Sequence, residues 1–204
     1  MADITLDVRD VLADPRSTGV VVSDVDKTHF SLLRAFVARF MADSAAAFPA
    51  PREGALLLDI APQVHAGATP FAATGWTIQT ADLEEAANPT YVMDITADNS
   101  ATVAAGTFHA VVCTEVLEHT AQPFDGMREL ARLLAPGGHL FLSVPCNFRI
   151  HGPLPDSWRF TEHGVRKLVE GAGLELVKLS ALEAPGRPLF PIDYAAVARK
   201  PAVQ

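Results

Sequence analysis

The chain has 204 residues, 49% of them hydrophobic and 20% charged, a balance that suits one globular domain and excludes a disordered chain. Its formal net charge of −8, with Lys and Arg scattered and never in a block, argues against a nucleic-acid backbone as the main partner.

In chain order, the acidic start "MADITLDVRDVLADPR" has no apolar h-region, so no signal peptide is expected. "DKTHFSLLRAFVARFMADS" follows, with Phe30, Leu33, Phe36, Val37, Phe40 and Met41 at helical spacing. Asp26 or Thr28 is the expected cap, and the helix is read as core or lid. Exposed apolar residues on its 29–41 stretch would suggest a homodimer. "DSAAAFPAPREG" (43–54) is linker-like, dividing an N-terminal helical segment or lid (1–50) from the main domain (51–204). "ALLLDI", "GWTIQTADL", "PTYVMDIT" and "FHAVVCTEV" are strand candidates; the 61–75 segment between the first two has room for only a short helix. "FDGMRELARLLAPGG" places Met127, Leu130, Ala131 and Leu134 on one helical face, with Pro136-Gly137-Gly138 as its stop. "HLFLSVP" is a strand, and "TEHGVRKLVEGAG" a helix capped by Thr161. "LELVKLSAL" and "DYAAVARK" close the chain as strands. Strands alternating with helices predict a doubly wound, Rossmann-like, mostly parallel seven-stranded sheet with helices on both faces. Ligands of such folds bind at the carboxyl ends of the strands. Cys113 and Cys146 lie in apolar runs and read as reduced core residues of a cytosolic protein. No apolar stretch approaches the ~20 residues of a membrane span, so the expectation is a soluble cytoplasmic protein without a membrane partner.

Three strand candidates end in Asp59, Asp82 and Asp94, and a fourth in Thr114-Glu115. In a parallel sheet these groups collect on one rim, where a ligand rich in hydroxyl and amino donors would be held. Asp82 follows Asp59 by about the ~20-residue offset at which a second-strand acid grips a ribose diol. For each acid singly, capping of the following turn is the plainer account. No Gly-x-Gly-x-x-Gly follows the first strand, which argues against a nicotinamide oxidoreductase.

"LLLDIAP…TADL…YVMDIT…FHAVVCTEVLEH…ELARLLAPGGHLFLSVP" resembles the class I S-adenosylmethionine-dependent methyltransferases, especially those acting on small molecules and sugars. The resemblance covers roughly residues 54–200. "DSWRFTEHGVRKLVEGAG" is similar to a stretch common in methyltransferases of polysaccharide and natural-product pathways. It implies S-adenosylmethionine as cofactor and a small polar metabolite (a sugar, nucleoside or natural-product intermediate) as acceptor, methylated on oxygen or nitrogen. The implied cofactor contacts are Asp59 with Ile60, Ala61 and Pro62 at the methionine end, and Asp82 with Leu83 at the ribose. Asp94 with Ile95 would take the adenine, and Thr114 with Glu115 would border the sulfonium. One departure stands out: in "DIAPQVHAG", Ala61 and Pro62 occupy the places of the family's first loop glycines, and Pro62 has no amide hydrogen to donate. His65 in this loop is a candidate contact to the cofactor's carboxylate. A non-catalytic relative serving as a binding or scaffold protein is the alternative.

The run "EVLEH" leaves three readings open. Glu118 and His119 begin the helix after the fourth strand and tie down loops; or His119 or His151 is the general base for a hydroxyl acceptor. In the third, Glu115, Glu118 and His119, completed by His151, resemble the Glu-x-x-Glu-His set of certain metal-dependent methyltransferases. Such a set would hold Mg²⁺ or Mn²⁺. His29 and Asp156 are further rim candidates. Trp158, Phe160 and Phe148 offer flat apolar surface to an acceptor, with Phe160 favoured as a core anchor. Arg149 and Arg159 are candidates for an acidic acceptor, and His139 is read as structural.

Overall fold

The computed structural model describes residues 8–13, 22–62 and 67–202. Helix α1 (Asp24–Ala47) begins at Ser23, not at Asp26 or Thr28. Ser23 Oγ accepts the Asp26 N–H at 3.1 Å and Asp26 Oδ2 accepts the Ser23 N–H at 3.4 Å, a reciprocal cap satisfying two amides that a helix start leaves open. Strands β1 (Leu56–Ile60), β2 (Thr77–Asp82) and β3 (Tyr91–Val92) follow, with a single-turn helix α2 (Thr69–Ala72) in the first crossover. Then come β4 (Phe108–Thr114), a 3₁₀ turn at Leu117–His119, α3 (Pro123–Leu133), β5 (Leu134–Pro145), α4 (Glu162–Gly171), β6 (Glu175–Glu183) and β7 (Pro191–Arg199). Thr161 caps α4, accepting the Gly164 N–H as its sequence predicts.

The strand order is β3-β2-β1-β4-β5-β7-β6. The first five strands are parallel; β7 runs antiparallel to both β5 and β6, so the sheet is mixed at one end. The link between β6 and β7 is too short for the crossover of a dozen or more residues that a parallel pair needs. Successive residues of the central strands face opposite sides. Leu57, Val112 and Phe141 pack with Phe40, Met41 and Ala45 of α1 and Phe71 of α2. Leu58, Val111, Cys113 and Leu142 pack with Met127 and Leu130 of α3 and Val165 and Leu168 of α4. Burial on both faces is why these strands read as continuous apolar runs without alternation.

Pro136-Gly137-Gly138 does not terminate α3. The helix ends at Leu133, and the three residues lie inside β5, where the pairing slips between Phe108↔Leu134 and Ala110↔His139. Gly138 is required there, since a β-carbon would stand 2.9 Å from the carbonyl oxygens of both Ala135 and His109. The C-terminal half of α1 belongs to the sheet's own core. No large apolar residue between 29 and 41 is exposed, so the feature that would suggest a homodimer is missing. No described helix is long and apolar enough to cross a membrane.

Candidate active site

Parallel pairing sets the carboxyl ends of β1 to β4 along one rim. Asp59 pairs across to Thr80 and Val112, Asp82 to Val92, and Thr114 to Ser143. Asp59 is 4% exposed, and its Oδ2 accepts the Ala68 N–H at 2.7 Å. Burial pushes its carboxyl up to about 6, against that one lowering hydrogen bond. It thereby ties the far end of the first loop to β1. The loop's indispensable glycine is Gly67, at φ +38, where a β-carbon would meet Asp59 Oδ2 at 2.4 Å. Ala61 adopts φ 48, a left-handed conformation that glycine takes without strain, while its N–H donates to Ala81 O at 2.7 Å. Ile60 is a core side chain, Pro62 is half-buried, and His65 lies outside the described residues.

Asp82 is half-buried at the end of β2, with Oδ1 accepting the Glu84 N–H at 2.9 Å; Leu83 beside it is exposed. Asp94 is exposed, and its Oδ1 accepts the N–H and hydroxyl of Thr96, both at 2.7 Å. Each acid therefore also caps its own turn. Ile95 is buried beside Gly126, leaving its backbone for the rim.

The "EVLEH" run divides at Glu115, whose φ of 55 turns the chain sharply. Its Oε1 accepts the Ser143 hydroxyl at 2.7 Å, carrying the side chain toward β5 and β7. Glu118, fully buried, points elsewhere. Its Oε1 lies 3.6 Å from His119 Nε2 and 3.8 Å from His151 Nε2, and the imidazole centroids are 5.0 Å apart. Of the four expected metal ligands, these three come together, with donor atoms within 4.8 Å of one another; Glu115 stands outside the group. The other ring nitrogens fix the tautomers. His119 Nδ1 faces Pro155 O at 3.2 Å, and His151 Nδ1 faces Asp156 Oδ2 at 3.1 Å and Arg149 O at 3.3 Å. Those neighbours only accept, so each Nδ1 carries the proton. Burial holds the His151 pKa down, favouring its neutral form. Both Nε2 atoms thus face a Glu118 carboxyl group whose oxygens have no hydrogen-bond partner among the described residues. Burial, with Glu115 nearby, pushes the Glu118 carboxyl well up.

The segment after β5 is pinned over this group. Asp156 accepts two hydrogen bonds from Arg159, at 2.5 and 2.6 Å, and one from the His151 N–H at 2.8 Å. Burial alone would raise its pKa, but these bonds and the Arg159 charge hold it below the usual value. The Ser157 and Trp158 amides donate to Glu118 O at 2.7 and 3.2 Å, and the Trp158 indole to Thr120 O at 2.9 Å. Arg159 is thus not free for an acidic acceptor. Arg149 is engaged as well, by Asp26 of α1 at 3.0 Å. Phe30 of α1 packs edge-on to Phe148, with centroids 4.8 Å apart, and beside His151 at 6.4 Å. Phe160 is a core residue, and His139 packs tilted against Phe48, with centroids 4.6 Å apart, and lies near-parallel to Phe141 at 6.5 Å. Ser143 and Asp193 were not singled out by the sequence. The available signal was Asp193 itself, one acid in the apolar strand "PIDYAAVAR".

Residues 32–179 match the family model described as a methyltransferase domain, well over half of the chain. The chain belongs to the methyltransferase-domain family. Among curated relatives of this methyltransferase-domain chain, the ubiquinone biosynthesis O-methyltransferase of Caulobacter vibrioides is 35% identical over 120 residues, covering 53% of this chain and 47% of that protein. The protein of the same name from Vibrio parahaemolyticus is 41% identical over 62 residues, 30% of this chain and 26% of the relative. The matched region thus spans under half the length of either relative. In fold, the chain is similar to magnesium protoporphyrin IX methyltransferase from Synechocystis, solved with bound SAH (TM-score 0.63, 18% identity, 90% of both chains). It is also similar to the [4+2]-cyclase SpnF (TM-score 0.62, 14% identity, 80% of this chain and 81% of that one). The architecture is that of the class I S-adenosylmethionine-dependent methyltransferases.

Proposed function

We propose that the chain binds S-adenosylmethionine along the β1–β4 rim and transfers its methyl group to an oxygen of a small polar metabolite, beside a divalent cation held by Glu118, His119 and His151. The observation that carries this reading is the convergence of Glu118, His119 and His151, whose ligand atoms lie within 4.8 Å of one another around carboxyl oxygens that have no hydrogen-bond partner among the described residues. A cation satisfies all three at once, and the carbonyl and carboxylate behind the imidazoles are the usual supports of metal-binding histidines. Two imidazoles and one carboxylate suit Mn²⁺ or a later first-row ion better than Mg²⁺, now that Glu115 is turned away.

For the cofactor, family membership and the acidic rim support the same assignment. Asp82 would take the ribose hydroxyls, Asp94 and the Ile95 backbone the adenine, and the Asp59–Pro62 turn with Thr114 the methionine end. Gly67 keeps the backbone close to Asp59, as a loop wrapping a ligand requires. Methyl transfer is an in-line displacement with a neutral leaving group, so the chain's main task is to position the acceptor. Phe30, Phe148 and Trp158 wall the acceptor side, and the N-terminal half of α1 acts as its lid through Asp26–Arg149 and Phe30. When bound, the cation lowers the pKa of a coordinated hydroxyl, which supports oxygen over nitrogen as acceptor, as do the relatives' names. A second reading keeps His151 as a general base oriented by Asp156, its neutral form favoured by burial. The fold alone does not fix the chemistry, since one neighbour is a cyclase.

Calorimetry with S-adenosylhomocysteine and, separately, Mn²⁺ tests the assignment. Wild type should bind both. Asp82→Ala should lose at least ~10-fold in S-adenosylhomocysteine affinity and keep Mn²⁺; His119→Ala should do the reverse. Wild-type protein that takes up neither ligand would leave the scaffold reading in place.

A further inference from the structure

Asp193 is fully buried in a strand whose neighbours Ile192, Tyr194, Ala195, Ala196 and Val197 are all buried too. An ionised carboxylate there is costly unless something answers it. No described donor does: neither Asp193 oxygen nor Glu115 Oε2 has a hydrogen-bond partner as an acceptor. Yet the two carboxyl groups face each other at hydrogen-bonding range. One proton held between the two carboxyl groups answers both of them. The remaining Glu115 oxygen, Oε1, accepts from Ser143 Oγ at 2.7 Å. Glu115 at the end of β4, Ser143 in β5 and Asp193 in β7 stand on three adjacent strands of the sheet. Both oxygens of Glu115 are thereby fixed, one toward β5 and the other toward β7, at a residue whose left-handed φ of 55 needs holding. The chain that this elbow redirects carries Glu118 three residues later.

We infer that Asp193 is a positioning residue for the Glu118–His119–His151 group, acting through a proton-bridged carboxyl pair with Glu115 that braces the β4 elbow. The inference rests on the cation-binding reading above for its consequence, but the bracing has a signature of its own. Glu118 O receives the amides of Ser157 and Trp158, so a loosened elbow exposes those two amides to exchange.

The experiment compares wild type, Asp193→Ala, Asp193→Asn and Ser143→Ala by amide hydrogen exchange at Ser157 and Trp158 without metal, and by calorimetric titration with Mn²⁺. Asp193→Asn supplies a permanent N–H donor to Glu115. It should keep wild-type exchange and bind Mn²⁺ within about twofold, because the bridge survives without its proton. Asp193→Ala should speed exchange of both amides at least ~10-fold and weaken Mn²⁺ binding ~10- to 100-fold, the range for a support behind a ligand. Ser143→Ala should move both readouts the same way by less, and it decides the matter if Asp193→Ala does not fold. Wild-type values in Asp193→Ala or Ser143→Ala, or equal losses in Asp193→Asn and Asp193→Ala, would overturn the inference. Wild-type protein that ignores Mn²⁺ sinks the cation reading alone, and the exchange rates still decide the brace.

Discussion

Replacing Asp59 by Asn should remove a defined part of the pH dependence of stability. Asp59 is 4% exposed, and burial raises its carboxyl from 3.8 to about 6 despite the hydrogen bond from Ala68. A shift of about two units, at ~1.36 kcal/mol each, corresponds to ~3 kcal/mol. The folded-state value is the raised one, so the native protein holds the proton more tightly than the unfolded chain does. This contribution is complete below the unfolded value of 3.8 and is lost as pH rises through about 6. The Asp59→Asn protein keeps an oxygen for the Ala68 N–H and has no charge to bury at any pH. Its urea midpoint should match wild type near pH 4 and exceed it by ~1 M at pH 8, for an m-value of about 3 kcal/mol/M. Urea unfolding followed by far-ultraviolet circular dichroism in half-unit steps across that range, without cofactor, measures the difference. A gap that is constant with pH, or that widens toward acid, would refute the argument that Asp59 is ionised at neutral pH against the cost of burial.

The first loop carries two further expectations. Gly67→Ala brings a β-carbon to 2.4 Å from Asp59 Oδ2, so Ala68 must release Asp59. Thermal unfolding should report a loss of ~2 kcal/mol, and S-adenosylhomocysteine should bind at least ~10-fold more weakly; unchanged affinity would separate the loop from the cofactor site. Ala61→Gly relieves the left-handed strain at φ 48, worth about 1–2 kcal/mol, less the added freedom of the unfolded chain at about 0.4–1 kcal/mol. Its Tm should rise by ~1–3 °C, and a fall would mean that the Ala61 methyl group contributes more through packing than its backbone costs.

Much of the fold was legible because its strands are buried on both faces. "ALLLDI", "FHAVVCT" and "HLFLSVP" announce themselves as apolar runs, and Thr161 marks the start of α4 without ambiguity. The errors have separate causes. "SDVDKT" offers several residues able to cap, and only the reciprocal bonding of Ser23 with Asp26 selects among them. Pro136-Gly137-Gly138 looked like a helix stop, but pairing with Phe108 draws Leu134 into the strand first, tertiary contact overriding local propensity. The direction of β7 is not encoded in its own residues. It was encoded in the short stretch before it, which can return the chain only antiparallel.

The site was legible by residue type and not by orientation. Spacing alone puts Glu115, Glu118 and His119 on one short turn, and nothing in "EVLEH" says that two carboxylates three residues apart will face different partners. One backbone angle makes the division. At φ 55, Glu115 sends its side chain back along the sheet to Ser143 and Asp193, residues 28 and 78 positions downstream, while Glu118 goes forward to the two imidazoles. A residue other than glycine keeps such an angle only where its surroundings hold it there. The same bonds that separate Glu115 from the Glu118–His119–His151 group therefore hold Glu118 within it. Removing Asp193 should disturb a site that it does not touch, whereas removing His151 should leave the elbow intact.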